Sequence, residues 1–211
     1  MKRIAEFNQQ DCYFNLDTSK EYLNEVKSAS QARYSNFIST LKRLNIKGRY
    51  LDVGCGPGML TQEIARQHPD IEIIGNDNSV EMLKLARQEL PDDLNIRIRF
   101  KEGDACNLDS IKELGKFDLI YSTFTMHHWD DAEVAIRNLY SILNNNGLLY
   151  IHDLKRVFWL YYINSDSGFF KSIRASYRPS EIKILLARIG IKNFSIKAIF
   201  PFFMQAILIR K

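Results

Sequence analysis

The sequence predicts an α/β domain in which a mostly parallel sheet carries helices on both faces. Between Arg49 and Asp153, short apolar runs alternate with segments whose apolar residues recur at helical spacing. Such alternation is the mark of parallel strands joined by helical crossovers. The first of these strands runs into LDVGCGPGM, Leu51–Met59, where glycine stands at every second position from Gly54 to Gly58. Size agrees: 211 residues, 45% hydrophobic and 26% charged, suit one domain with a full core and are few for two.

The elements follow in order. Asp17 to Leu44 is charged, with Tyr22, Val26, Ala29, Tyr34, Phe37, Ile38 and Leu41 at helical spacing, and reads as two helices starting near Asp17 or Ser19. Gly48 is a stop. Arg49–Val53 is a strand, and Pro57–Gln67 a helix that opens on a proline, whose missing N–H matters little there. Ile71–Asn76 is a strand. Ser79–Glu89 is a helix with Ser79 as its cap and Val80, Leu83 and Ala86 on its apolar face. Asn95–Glu102 reads as a strand, Ser110–Leu114 as a short helix, Phe117–Ser122 as a strand and Asp130–Leu143 as a helix. Asn144–Gly147 is a turn built from residues that tolerate left-handed φ, and Leu148–Asp153 is the next strand. Lys155–Tyr177 is aromatic and without clear period. Pro179–Ile189 is helical, and Ile191–Phe200 and Phe202–Arg210 are two strands joined around Pro201, hence antiparallel.

Composition excludes several classes. No apolar run is long enough to span a bilayer, and MKRIAEFNQQ lacks the apolar core of a secretion signal, so the expected location is the cytoplasm. Cys12, Cys55 and Cys106 form no CxxC pair and no set at zinc spacing, so no metal is expected. From Ile151 onward eleven Lys/Arg stand against three Asp/Glu, a local excess of +8 in a chain of net +4. Such an excess attracts anionic partners, or simply balances the acidic remainder.

The glycine turn speaks for a cofactor. The dinucleotide fingerprint G-x-G-x-x-G would need a third glycine where Met59 stands, and no Gly-Lys-Ser/Thr of a phosphate loop follows. A turn of this kind brings backbone close to a ligand. Asp52, just before the first glycine, would repel a phosphate and favour an ammonium or sulfonium. Asp77 ends the second strand, where an acid meets ribose hydroxyls. Asp104 follows the third strand in EGDA, and Ser122 and Thr123 end the fourth. Each alone reads equally as a loop acid or a cap. Together they fall where an α/β sheet binds ligands, at successive strand ends.

In these motifs the chain resembles the class I S-adenosylmethionine-dependent methyltransferases, and is similar to their small-molecule methylases of the ubiquinone and menaquinone type. The matching stretches are LDVGCGPGM, IIGNDNS (Ile73–Ser79), EGDA, FDLIYSTFTMHHWDD (Phe117–Asp131), GLLYIHDLKR (Gly147–Arg156) and the tail SYRPSEIKILLARIGI, across roughly residues 30 to 211. The resemblance implies a Rossmann-like three-layer sandwich with a seven-stranded, mostly parallel sheet whose last strand is antiparallel. It implies a helical lid over residues 1–47 and a cofactor-binding domain over 48–211. S-adenosyl-L-methionine would be the cofactor and S-adenosyl-L-homocysteine its product. Gly54, Gly56 and Gly58 would border the methionine part and Asp77 the ribose. Asn78 and Met82 would lie against the adenine, Asp104 and Ala105 at its edge, and Ser122 or Thr123 at the methionine end.

Asn76 and Asn78 depart from the family pattern, which has apolar residues beside the acid. STFT after the fourth strand is not the N/D-P-P-Y/F of exocyclic-amine methylases, and no cysteine follows a proline as in base C5 methylases. Both absences count against nucleic acid as acceptor, so a small molecule is expected, methylated by in-line displacement. His127, His128 and Asp153 are the candidate catalytic residues, imidazole being a natural general base. The His-His-Trp segment reads at least as well as a structural helix start. Arg156 is a candidate for an anionic acceptor group. RNA or protein methylation, and a non-catalytic cofactor-binding role, are the alternatives; the assembly expected is a monomer or homodimer.

Overall fold

A computed structural model describes residues 1–4 and 34–211. The first of the two N-terminal helices read from the sequence lies outside the described residues. Residues 34–44 are helical (α1). There follow β1 (Gly48–Val53), α2 (Met59–Gln67), β2 (Ile71–Asp77), α3 (Val80–Gln88), β3 (Ile98–Glu102), α4 (Leu108–Lys112) and β4 (Phe117–Thr123). After a 3-10 turn at Met126–His128 come α5 (Ala132–Ser141), β5 (Leu143–Leu154), α6 (Phe158–Tyr161), α7 (Gly168–Ala175), α8 (Pro179–Arg188), β6 (Phe194–Ile199) and β7 (Met204–Arg210).

The strands form one seven-stranded sheet in the order β3-β2-β1-β4-β5-β7-β6. β7 runs antiparallel to both its neighbours, β5 and β6, and the other pairings are parallel. The fold is therefore the expected mixed seven-stranded, Rossmann-like one. Its chain order reverses between β1 and β4, which opens a crevice at the carboxyl ends of those strands.

Period-2 alternation divides the core into two layers. Leu51 and Val53 of β1, Leu149 and Ile151 of β5 and Ile207 and Ile209 of β7 face α4, α5 and α8. Tyr50, Leu119, Tyr121, Leu148 and Tyr150 face α1, α2 and α3. α1 belongs to this second layer: Phe37 stacks on Tyr150 with centroids 4.8 Å apart, and Leu41 is buried beside it. Local signals set the helix starts. Ser79 accepts from the Met82 amide at 3.2 Å, and Asp131 accepts from the amides of Glu133 and Val134.

Several element limits differ from the sequence reading. α2 begins at Met59 after Gly58, which caps it in a left-handed conformation, so Pro57 stays in the turn. α5 starts at Ala132 because Asp131 takes the cap, and the His-His-Trp segment forms a separate 3-10 turn ahead of it. Asn144–Gly147 is a bulge inside β5 rather than a turn before it. The pairing jumps from Phe117↔Leu143 to Leu119↔Leu148, and Asn146 takes the left-handed φ of 65° that absorbs the extra residues. β3 begins three residues late, since Leu94 carbonyl accepts from the amides of Arg97 and Ile98 and closes a turn there. Lys155–Tyr177, read as irregular, holds α6 and α7. Residues 2–4 return against α7: the Ile4 amide donates to Arg174 carbonyl at 3.2 Å and Arg3 Nε to Ala175 carbonyl at 2.6 Å.

Candidate functional site

The crevice at the end of β1 is built around the glycine turn. Gly54 has φ 74°, and a Cβ there would lie 2.3 Å from Thr125 Cγ2, so a side chain is excluded by both backbone and space. Gly56 also has positive φ, but a Cβ on it would meet no atom within 4 Å. The room beside its backbone is open. The turn is pinned from beneath by Asn76, whose carbonyl accepts from the amides of Gly54 and Cys55 at 2.7 and 3.0 Å. Asn76 Nδ2 in turn donates to Lys101 carbonyl on β3. The polar residue that departs from the family pattern is thus a buried tie between strands.

Two acids converge on this turn. Asp77, at the end of β2, accepts from the Gly56 amide at 2.8 Å and the Ser79 amide at 2.9 Å. It holds two turns together, and burial raises its pKa even against those hydrogen bonds. Asp52 is buried in β1 and accepts from Thr61 Oγ1 at 2.6 Å. Burial pushes its pKa up to about 7, with the nearby Asp77 charge adding to the effect and contacts from Thr61 and Tyr121 opposing it. A carboxyl poised there gains most from a cation.

A small cleft, partly open to solvent, is lined by Asp52, Gly54, Gly56, Pro57, Tyr34, Thr123 and Phe124 among others. It joins the glycine turn to the end of β4. Thr123 reaches it, whereas Ser122 is fully buried beneath. Asn78 is exposed beside Asp77, and Met82 is buried on α3. Asp104 is exposed and its Oδ1 caps its own loop at the Cys106 amide, 2.8 Å away. Ala105 is buried, its carbonyl held by Asn138 Nδ2. These four lie at the ends of β2 and β3, outside the lining of the cleft.

The candidate catalytic residues form a second cluster. Asp153 Oδ1 lies 2.7 Å from His127 Nδ1, and its Oδ2 accepts from the His127 amide at 2.9 Å. Both side chains are buried, at 2% and 0% exposure. The carboxylate thus fixes the ring with Nδ1 as donor. His128 packs tilted against His127 with centroids 4.0 Å apart, and burial, aided by its neighbour, drives its pKa down to about 3. None of the three lines the cleft. Arg156 is not free for an acceptor: it is fully buried, donates to Ser176 carbonyl at 2.8 Å and pairs with Glu181. An internal partner, invisible to the sequence reading, neutralises it.

The sequence reading missed Tyr34, Phe124 and Tyr121. Strand register could have found Tyr121: it pairs directly with Asp52 and so shares its face. Phe124 lines the cleft with a positive φ of 56°, a conformation an aromatic residue adopts only under constraint. Its ring packs on Tyr34 and on His152, at 6.0 and 5.7 Å between centroids. No sequence pattern announces that.

With this geometry in hand, the chain can be set beside known proteins. The methyltransferase domain family matches residues 51–151. The trans-aconitate 2-methyltransferase of Variovorax paradoxus is 34% identical over 103 residues, which are 49% of this chain and 37% of that protein. The ubiquinone biosynthesis O-methyltransferase of Azorhizobium caulinodans is 30% identical over 112 residues, 53% of this chain and 42% of that one. The chain therefore spans less than half the length of these curated relatives. A crystal structure from Methanococcus maripaludis, assigned as an S-adenosyl-L-methionine-dependent methyltransferase, superposes with a TM-score of 0.74 at 25% identity, covering 93% of each chain.

Proposed function

We propose, from the premise that residues 51–151 of this chain are a methyltransferase domain, that the protein transfers a methyl group from S-adenosyl-L-methionine to a small-molecule acceptor. The observation that carries this reading is the buried, destabilised Asp52 carboxyl beside an open glycine turn at the sheet's switch point. That setting suits a cationic nucleoside without phosphate. The residues fit such a group. The space beside Gly56 is open, and Asp77 at the end of β2 already accepts from the Gly56 amide, so its remaining lone pairs would serve the ribose hydroxyls.

On this reading the backbone of Gly54, Gly56 and Gly58 borders the methionine part, and Asp52 faces its ammonium. Asp77 takes the ribose, Asn78 and Met82 the adenine face, Asp104 and Ala105 its edge. Of Ser122 and Thr123, Thr123 bounds the methionine end. The cofactor supplies a methyl carbon already activated by a sulfonium leaving group, so in-line displacement asks the protein mainly for alignment and exclusion of water. Tyr34 and Phe124 wall the cleft and would supply that exclusion. Asp153 holds the His127 ring through its Nδ1, which would position that ring as a base. The sunken position of that pair favours a role in holding the wall after β4.

Isothermal calorimetry with S-adenosyl-L-methionine and S-adenosyl-L-homocysteine tests the cofactor, and Asp77→Ala tests the site. Failure of folded protein to bind either ligand would sink the reading. The acceptor is sought by incubation with isotopically labelled cofactor and a metabolite extract, followed by mass spectrometry. Label found only in RNA or protein would overturn the small-molecule part.

A further inference from the structure

One face of the molecule has no place in the site described above. At the carboxyl end of β5, beside the start of β7, three neighbouring segments present large apolar side chains to solvent: the short helix α6, the start of α7 and the β6–β7 hairpin tip. Phe158 and Trp159 on α6 are 67% and 58% exposed, and Phe200 and Phe202 on the hairpin are 73% and 58% exposed. Tyr162 and Phe169 add to the patch, at 64% and 40%. A soluble protein scatters exposed aromatics; it rarely gathers them on one face.

The segments are held together. Phe169 packs edge-on against Phe203, with centroids 5.4 Å apart, and the Lys155 amide donates to Phe203 carbonyl at 2.7 Å. Beneath them Leu154, Ile173 and Met204 form a small core that also takes in Leu160 and Phe124. Arg174 pins the α6–α7 loop through the carbonyls of Ile163 and Ser165. The patch is thus a fixed surface, continuous through Phe124 with the cleft wall.

Its charge selects the partner. Lys155, Lys171 and Arg174 lie in and beside these elements, against Asp166 alone, within the C-terminal stretch that carries the +8 excess. A second copy would meet the same positive charge. Single-stranded nucleic acid would want a groove with aromatics in series, whereas these rings stand on separate elements, α6, α7 and the β6–β7 hairpin tip. Exposed aromatics, with Trp159 and Tyr162 among them, beside Lys155 and Lys171 suit the headgroup boundary of an anionic bilayer. The geometry points to this face as a peripheral docking site for anionic phospholipid membranes. Docking there would bring the mouth of the cleft toward the lipid. The inference stands apart from methyl transfer, since it needs neither cofactor nor acceptor.

The test uses the full chain without added cofactor. Vesicles of phosphatidylcholine alone and of phosphatidylcholine with about one-third phosphatidylserine are assayed by co-sedimentation and by tryptophan emission. The chain has two tryptophans, and Trp129 is buried, so a change on docking reports Trp159. Anionic vesicles should bind the protein and shift its emission to the blue, and neutral vesicles should bind at least about tenfold more weakly, since each basic contact is worth about a fivefold change in partition. Raising salt should release the protein.

Phe158→Ser/Phe200→Ser/Phe202→Ser should lose at least about tenfold in partition, by loss of inserted apolar area. Phe200→Ser alone should lose part of it, and its circular dichroism guards against misfolding. Trp159→Phe should keep the sedimentation and lose the shift. Absence of binding to anionic vesicles at low salt would overturn the inference. So would unaltered binding of the triple variant, or an RNA oligomer that binds through these same residues while vesicles are ignored. Emission already blue without vesicles would show the face covered by protein and would equally overturn it.

Discussion

The carboxyl ends of β1 and β2 and those of β4 and β5 are neighbouring regions buried alike, yet they hold opposite kinds of group. On the β1–β2 side burial raises two carboxyls, Asp52 to about 7 and Asp77 against the opposing hydrogen bonds from backbone amides. On the β4–β5 side burial lowers two imidazoles, His128 to about 3 and His152 to about 4. One cause, desolvation, disfavours charge in both. The difference is what each region then lacks. The first holds carboxyls whose ionised form a cation would stabilise. The second is completed internally: burial keeps the rings of His128 and His152 uncharged, Asp153 holds His127, and Phe37, Phe124 and Tyr150 surround His152. On the function proposed above, the first receives a ligand and the second holds a wall.

The contrast can be broken at its strongest point first. Asp153→Ala removes the partner of His127 and leaves buried donors at His127 and Leu154. It should destabilise the protein by about 3–5 kcal/mol in urea unfolding. Asp77→Ala should instead leave a protein that folds but binds S-adenosyl-L-methionine about thirtyfold more weakly, because charged hydrogen bonds are each worth about 1.5–3 kcal/mol. A calorimetric titration reads that loss; unchanged affinity would erase the distinction between the regions.

The two regions should also pull stability in opposite directions with pH. The raised Asp52 contributes stability that is full below the ordinary carboxylate value of 3.8 and is lost as pH rises toward 7. The lowered His128 and His152 contribute stability that is full above 6.5 and is lost as pH falls toward 4. Asp52→Asn removes only the first effect. Its Tm relative to the parent should therefore rise between pH 5 and pH 8, by about 5 °C, since each kcal/mol moves a protein of this size by about 2–4 °C. A constant difference across that range would contradict it. The smallest effect is at His152, whose Nδ1 has no hydrogen-bond partner among the described residues. His152→Phe should change stability by less than about 1.5 kcal/mol at neutral pH and flatten its fall in acid.

Much of the first region was legible in the sequence and little of the second. The glycines, Asp52 and Asp77 are local: each falls at a strand end that alternation alone predicts, and residue type limits what it can touch. The wall depends on register and packing. Tyr34 reaches the cleft because α1 lies on the sheet, which no local pattern states. Phe124 takes an aromatic residue into left-handed backbone, against its own preference. Arg156 looked available because Glu181, 25 residues away, is its partner only in three dimensions. The aromatic stretch after β5 hid two helices, because its exposed rings obscure any helical period.

The most direct test of the account is calorimetric affinity for S-adenosyl-L-methionine between pH 6 and pH 8, for the parent and for Asp52→Asn. His128 and His152 do not titrate in this window, and Asp52, raised to about 7, is a group whose ionised form a bound cation would favour there. The parent should bind about tenfold more tightly at pH 8 than at pH 6, and Asp52→Asn should bind weakly and with no such slope. Affinity independent of pH in the parent, or the same slope in the variant, would contradict the claim that this region is built around a cation.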